Sequence, residues 1–305
     1  MSYAGPDFDP RPPRRLRRGP LTVALAALVP GALLGWLVYE TVGGPEHGGG
    51  GRAGGAASAS SGRSTSAADD GKAPSASSNA RPLKGRVVVI DPGHNPDNFR
   101  HTAEINRKVD IGTNRKECDT TGTATNSGYA EAEFTLDVSH RLKALLQKEG
   151  ATVKLTHDSG SPTWGPCVDR RAQIGNAAHA DAAISIHADG ASVGDRGFHV
   201  ILPGSVHAGG ADTRAIVAPS RALGERVADG YLRATGEPRS NYLGGGTGLV
   251  TRKDLGGLNL STVPKVFIEC GNMRDSKDAA LLTSGAWRQK AAQGISEGIV
   301  SFLRG

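Results

Sequence analysis

From Leu83 onward, short β-branched runs alternate with longer amphipathic stretches. This restricts the chain to an α/β fold with a mostly parallel central sheet flanked by helices on both faces. The predicted strands are residues 86–91 (RVVVID), 151–156, 182–187 (AAISIH), 197–202 (GFHVIL) and 265–270 (KVFIEC). Helices are predicted over 130–149, 168–179 and 219–235, with a last one over 278–303. The first of these places Phe134, Val138, Leu142 and Leu145 on one face and stops at Gly150. With 37% hydrophobic residues, the chain supports one core of about 200 residues, so residues 83–305 are expected to form a single domain.

The segments before Leu83 read differently. Residues 1–19 form a basic leader in which Arg14, Arg15, Arg17 and Arg18 precede an uncharged apolar run over residues 20–39, about the length that crosses a bilayer as a helix. The positive flank sets the N-terminus inside. A cleaved signal peptide shares that polarity, but this run is long and ends in Trp36, Tyr39 and Glu40, so an uncleaved N-terminal transmembrane helix over residues 20–40 is expected. Residues 41–82 are Gly, Ser, Ala and Pro with scattered charge, a composition expected to form a disordered linker. The net charge of +6 does not indicate a nucleic-acid partner. The five arginines of residues 1–20, less Asp7 and Asp9, supply half of it, and no dense basic stripe follows.

Three predicted strands end in a polar residue that a core would not select: His94 just after RVVVID, His187 closing AAISIH, and Glu269 near the end of KVFIEC. Functional groups of open α/β sheets gather beyond the carboxyl ends of the strands, so these distant positions are candidates for one site. Two imidazoles suit zinc, which also takes carboxylate oxygen and, in a catalytic site, keeps one position for water. Glu131 and Glu133 both lie in the first turn of the helix at 130–149. Glu131 precedes Phe134 by three residues and projects on the core side; Glu133, about 200° away, points to solvent. The third ligand is therefore expected to be Glu131.

Val89 to His94 (VIDPGH), Glu131 at a helix start, Ser185 to Asp189 (SIHAD) and Phe267 to Asn272 (FIECGN), in this order, resemble the small single-domain form of the zinc-dependent N-acetylmuramoyl-L-alanine amidases of the third amidase type. The resemblance runs from about Gly85 to the C-terminus. It implies Zn²⁺ held by His94, Glu131 and His187, with Glu269 as catalytic base. It also implies cleavage of the amide between N-acetylmuramic acid and L-alanine of the stem peptide by a zinc-activated water. Peptidoglycan or a muropeptide is then the partner, met outside the cytoplasmic membrane by a monomer held on its N-terminal helix, or secreted if that helix is cleaved. Two departures stand out: Thr156-His157 where the family usually has Thr-Arg, and Asp189 where it usually has Asn. His157 and His101 become rival ligands, each with the plainer reading of a surface histidine.

Three cysteines leave one without a partner. The resemblance implies a disulfide between Cys118 and Cys167, while alternation with Glu269 turns Cys270 to the other sheet face as a core thiol. Gly190 to Gly194 matches the Gly-x-Ser-x-Gly pattern, but a strand rather than a helix follows Ser192, against a nucleophile elbow. Gly244 to Gly248 lacks the lysine of a phosphate-cradling loop and reads as a substrate-side loop. Two other functions fit the same residues: another zinc hydrolase of the cell wall, such as a carboxypeptidase or deacetylase, and an inactive wall-binding module.

Overall fold

The structure, a computed structural model, describes residues 81–305. The basic leader, the apolar segment at 20–40 and the linker up to residue 80 lie outside the described residues. Among those described, no helix is long and apolar enough to cross a membrane.

The chain enters β1 (Val87–Pro92), passes a short helix α1 (Thr102–Ile105) and a ribbon of β2 (Lys108–Asp110) and β3 (Arg115–Glu117), then runs α2 (Glu131–Lys148), β4 (Thr152–Leu155), α3 (Val168–Ala177), β5 (Ala182–Asp189) and β6 (His199–Pro203). A second ribbon, β7 (His207–Ala208) and β8 (Ala211–Asp212), precedes α4 (Val217–Thr235), β9 (Leu249–Arg252), α5 (Gly256–Asn259), β10 (Lys265–Asn272), α6 (Ser276–Leu282) and α7 (Gly285–Arg304).

The main sheet has the order β4-β1-β5-β10-β6-β9. Its pairs are parallel except β10 with β6. The central strands β5 and β10 are buried along their whole length, as unbroken apolar runs require when helices cover both faces. The edges β4 and β9 are short and only half-buried.

Period-2 alternation sends the two sets of strand residues to different neighbours. Val88, Ile90, Ile184, Ile186, Val266 and Ile268 pack with Phe134, Val138 and Leu142 of α2, Leu223 and Val227 of α4, and Ile295 and Ile299 of α7. On the other face Val89 and Ala183 meet the end of α3, and Ile201 and Phe267 meet Leu255 and Leu258. Helices α4 and α7 cross so closely that a Cβ on Gly230 would lie 2.4 Å from the Gly294 carbonyl oxygen, so glycine is required at the crossing.

The C-terminal region corrects one expectation. The single helix anticipated over 278–303 is two helices, broken at Thr283 and Ser284. Ser284 caps the second by accepting from the Trp287 N–H, and Asp275 caps the first by accepting from the Lys277 and Asp278 N–H groups. The capping hydroxyl of Ser284 favours a new helix start at this point over continuation of the first. The edge strand β9 was not anticipated, because four residues after a glycine-rich turn carry too little periodicity to read.

Candidate metal centre

His94, Glu131 and His187 each offer a ligand atom within 4.8 Å of the others, and all three are buried. They arrive from three elements: His94 from the turn after β1, Glu131 from the first turn of α2, and His187 from β5. Glu133, two residues past Glu131, is exposed. Within the trio, His94 Nε2 is 3.1 Å from Glu131 Oε2, and His187 Nδ1 is 3.0 Å from Glu131 Oε1. The Glu131 carboxylate is aimed by the backbone: the Thr123 N–H donates to Oε2 at 2.9 Å and the Ala188 N–H to Oε1 at 3.2 Å.

The donor set fits a divalent cation. His94 Nδ1 lies 3.1 Å from the Thr120 carbonyl oxygen and 3.0 Å from its hydroxyl; donating to the carbonyl, it leaves Nε2 able to present a lone pair. That Nε2 is buried, makes no hydrogen bond, and faces a carboxylate oxygen. Two acceptors in contact in a dry site are stabilised by a cation shared between them. Burial would raise Glu131, but His94 and His187 outweigh it and hold the carboxyl well below its usual range. Burial also pushes His187 down to about 3, so its imidazole is neutral and able to ligate at neutral pH. Gly122, at φ 75°, closes the pocket: a Cβ there would sit 2.8 Å from both Glu131 Oε2 and His94 Cδ2.

His94 itself has φ 60°, a left-handed conformation that costs a non-glycine residue about 1 to 3 kcal/mol. Arg171, on α3 and 4% exposed, holds it there. The guanidinium donates to the His94 carbonyl at 2.8 Å, to Asp119 Oδ2 at 2.8 Å and to Asp91 Oδ1 at 2.9 Å.

Glu269 lies opposite His187 in the parallel register of β10 and β5, and opposite His199 in the antiparallel register of β10 and β6. Its Oε2 is buried without a hydrogen bond. Burial, reinforced by the nearby Asp189 carboxylate, pushes the Glu269 carboxyl well above its usual range. Asp189 accepts from the Tyr242 hydroxyl at 2.8 Å. His199, edge-on to Tyr242, is pushed down to about 4 by burial.

The remaining candidates fall elsewhere. Cys118 and Cys167 form a disulfide with a sequence separation of 49, and Cys270 is a buried thiol in the core beneath the opposite sheet face. Neither His157 nor His101 belongs to the trio among the described residues. The surface reading of His157 is corrected: it is 3% exposed, and its Nε2 donates to the Pro92 carbonyl at 2.9 Å, because the chain leaving β4 stays hydrogen-bonded along the end of β1. Ser192 sits in the β5–β6 loop, with no helix after it.

A family model described as N-acetylmuramoyl-L-alanine amidase (Amidase_3) matches residues 88–301. The chain belongs to this family. It is 40% identical over 230 residues, covering 75% of this chain and 91% of the relative, to N-acetylmuramoyl-L-alanine amidase Rv3717 of Mycobacterium tuberculosis. It is 26% identical over 225 residues, covering 74% of this chain and 61% of the relative, to a probable cell wall amidase, LytH, of Staphylococcus saprophyticus. Among solved structures, the family member Ami1 of Mycobacterium smegmatis superposes with a TM-score of 0.66 at 39% identity, covering 72% of this chain and 98% of that one.

Several residues that build the centre were not singled out from sequence: Thr120, Arg171, and the buried group of Asp91, Ser185 and Lys265. For the last three a signal existed. Asp91, Ser185, His187, Lys265 and Glu269 occupy one parity of strands whose other parity is apolar up to Cys270, so they mark a polar stripe on one sheet face.

Proposed function

We propose that this chain is a zinc-dependent N-acetylmuramoyl-L-alanine amidase that hydrolyses the amide between the lactyl group of N-acetylmuramic acid and L-alanine of the peptidoglycan stem. The observation that carries the zinc reading is the buried trio of ligand atoms within 4.8 Å, one of them a lone pair with no hydrogen bond. His94 Nε2, a Glu131 oxygen and His187 Nδ1 would hold the ion. When bound, zinc lowers the pKa of a coordinated water toward about 7 and polarises a carbonyl as a Lewis acid.

Glu269 is assigned the proton work. Its register position beside His187 and its buried, raised carboxyl suit a group that takes a proton from water and then returns it to the departing amine of L-alanine. Tyr242 keeps Asp189 paired, so one acidic group beside Glu269 stays hydrogen-bonded while Glu269 exchanges its proton. The disulfide and Arg171 fix the turn that carries His94, so the ligand geometry is set before substrate arrives.

The amidase reading places the domain outside the cytoplasmic membrane, and the apolar run at residues 20–40 is assigned as its anchor on sequence alone. The deciding experiment is digestion of purified peptidoglycan by protein stripped with a chelator and then reloaded with zinc. An amidase releases whole stem peptides and leaves the glycan intact, only when reloaded. Trimmed peptides still attached to glycan, or deacetylated sugars, would refute the bond assignment; activity surviving complete metal removal would refute the zinc.

A further inference from the structure

We propose that Glu237, Asp278 and Arg196 form a proton-sensitive clasp on the crossing between β5 and β6, closed while Glu237 holds a proton and loosened when it ionises. The inference rests on the amidase reading only for its purpose, because the clasp restrains chain that ends beside Glu269. The clasp itself is read without metal or substrate.

The crossing at residues 190–198 leaves β5 after Asp189 and enters β6 at His199, which faces Glu269 in register. Its last residues are pressed onto the segment after α4. The Phe198 N–H donates to the Pro238 carbonyl at 3.0 Å, and a Cβ on Gly197, at φ 90°, would lie 2.5 Å from that oxygen. Arg196 pins the same turn through its side chain: Nε donates to Asp278 Oδ1 at 2.9 Å and Nη2 to Glu237 Oε1 at 3.0 Å.

Two carboxyls thus share one guanidinium, and both are withdrawn from water, Glu237 at 3% exposure and Asp278 at 1%. Two negative charges against one positive charge in such a place are costly, so one carboxyl keeps a proton. The donors decide which. Besides Arg196, Asp278 takes the N–H groups of Gly197 at 2.8 Å and Asn272 at 3.0 Å on its Oδ2, and this stabilises it as the anion. Glu237 receives Arg196 Nη2 and no backbone N–H among the described residues, so it is the group that stays protonated, with Asp278 in reach as acceptor. Burial first, and the Asp278 charge second, push the Glu237 carboxyl up to about 7.

The surrounding groups leave this balance in place. On α6, Asp275 attracts Arg196 as well and accepts from the Gly194 N–H at 3.3 Å. On α4, the buried Tyr231 phenol donates to the Cys270 carbonyl at 2.8 Å and stays neutral. Beyond α4, Arg239 is paired with Asp229 at 3.1 Å. Opening the crossing would return Glu237 to water and to its ordinary 4.5, so the closed form binds this proton more tightly than the open one. From 4.5 to about 7, each rise of one pH unit then favours opening by up to about tenfold, and above 7 the effect levels off.

The test is NMR on the full chain. The Glu237 carboxyl carbon is titrated, and amide hydrogen exchange at Gly197 and Phe198 is followed from pH 4.5 to 8 after correction for intrinsic rates. Wild type is expected to titrate Glu237 near 7, and protection of the two amides to fall at least tenfold across the range before levelling off. Glu237→Gln is uncharged at every pH and can still accept from Arg196 and donate to Asp278, so its protection is expected to stay flat. The proposal is overturned if Glu237 titrates near 4.5, or if wild type and Glu237→Gln lose protection in parallel. If Glu237→Gln fails to fold, the wild-type titration and exchange decide. Neither readout involves zinc or substrate, so a chain that failed to cut peptidoglycan would sink the amidase reading and leave the clasp to be judged on its own.

Discussion

Glu269 and His187 face each other across a parallel strand pair, one residue opposite the other in register. A sheet ladder fixes that relation more rigidly than any loop could, and it brings a carboxyl of high proton affinity beside an imidazole kept neutral by burial. Removing the carboxyl charge without changing its shape should therefore separate chemistry from metal binding. Glu269→Gln is expected to keep its zinc, measured by elemental analysis, while turnover of muropeptides falls about 10²- to 10⁴-fold. Near-normal turnover with zinc in place would assign the proton transfer to another group.

Glu131 plays the opposite part. Both of its oxygens touch imidazole nitrogens, so Glu131→Gln removes the charge that balances the ion while nearly preserving volume. Zinc retained after dialysis should drop from about one equivalent per chain to a small fraction of that, with amidase activity lost in parallel. A variant that kept its equivalent of zinc would exclude Glu131 as a ligand.

His157 gives the protein an acid-sensitive component of stability. Burial first, and Arg171 second, push this imidazole down to about 4 from the 6.5 of an exposed histidine. Between those values the unfolded chain binds a proton that the folded chain refuses. Stability should then fall as pH drops through the window from 6.5 to 4, by up to about 1.4 kcal/mol per pH unit from this residue. In denaturant titrations His157→Gln should decline less steeply than wild type over that window, even if it is less stable at pH 7. Equal slopes would show that the ring is protonated in the folded state.

The disulfide should matter to stability and site together. Closing a separation of 49 residues restrains the unfolded chain by about 4 kcal/mol on the chain-entropy estimate. Cys118 is also two residues from Thr120, whose carbonyl orients His94. Reduction, or the pair Cys118→Ser and Cys167→Ser, is expected to lower unfolding free energy by an amount of that order and to weaken zinc binding. Because Cys270 is buried, mild reductant reports on the bridge alone.

What could be read from the sequence followed from periodicity and from residues that violate it. His94, His187 and Glu269 were visible because each interrupts an apolar strand at its end, and Glu131 because helical phase separates it from Glu133. Thr120 was not, since it meets His94 through its backbone carbonyl and its hydroxyl from a loop whose polar composition singles out no residue. Arg171 was hidden as well: on an amphipathic helix an arginine reads as solvent-facing, and only the tertiary approach of Asp91 and Asp119 makes burial favourable. His157 was misplaced for the same reason. The break between α6 and α7 was missed because a Thr-Ser pair disturbs helical phase too little to show.

The reversal of β6 against its neighbour has a separate outcome. Because that strand runs opposite to β10, its beginning, not its end, arrives beside Glu269. The crossing at residues 190–198 therefore starts and finishes beside the candidate site, while His94 comes from the turn after β1 and His187 from β5. The segment beside Glu269 and the three residues that could hold an ion thus lie on separate pieces of chain.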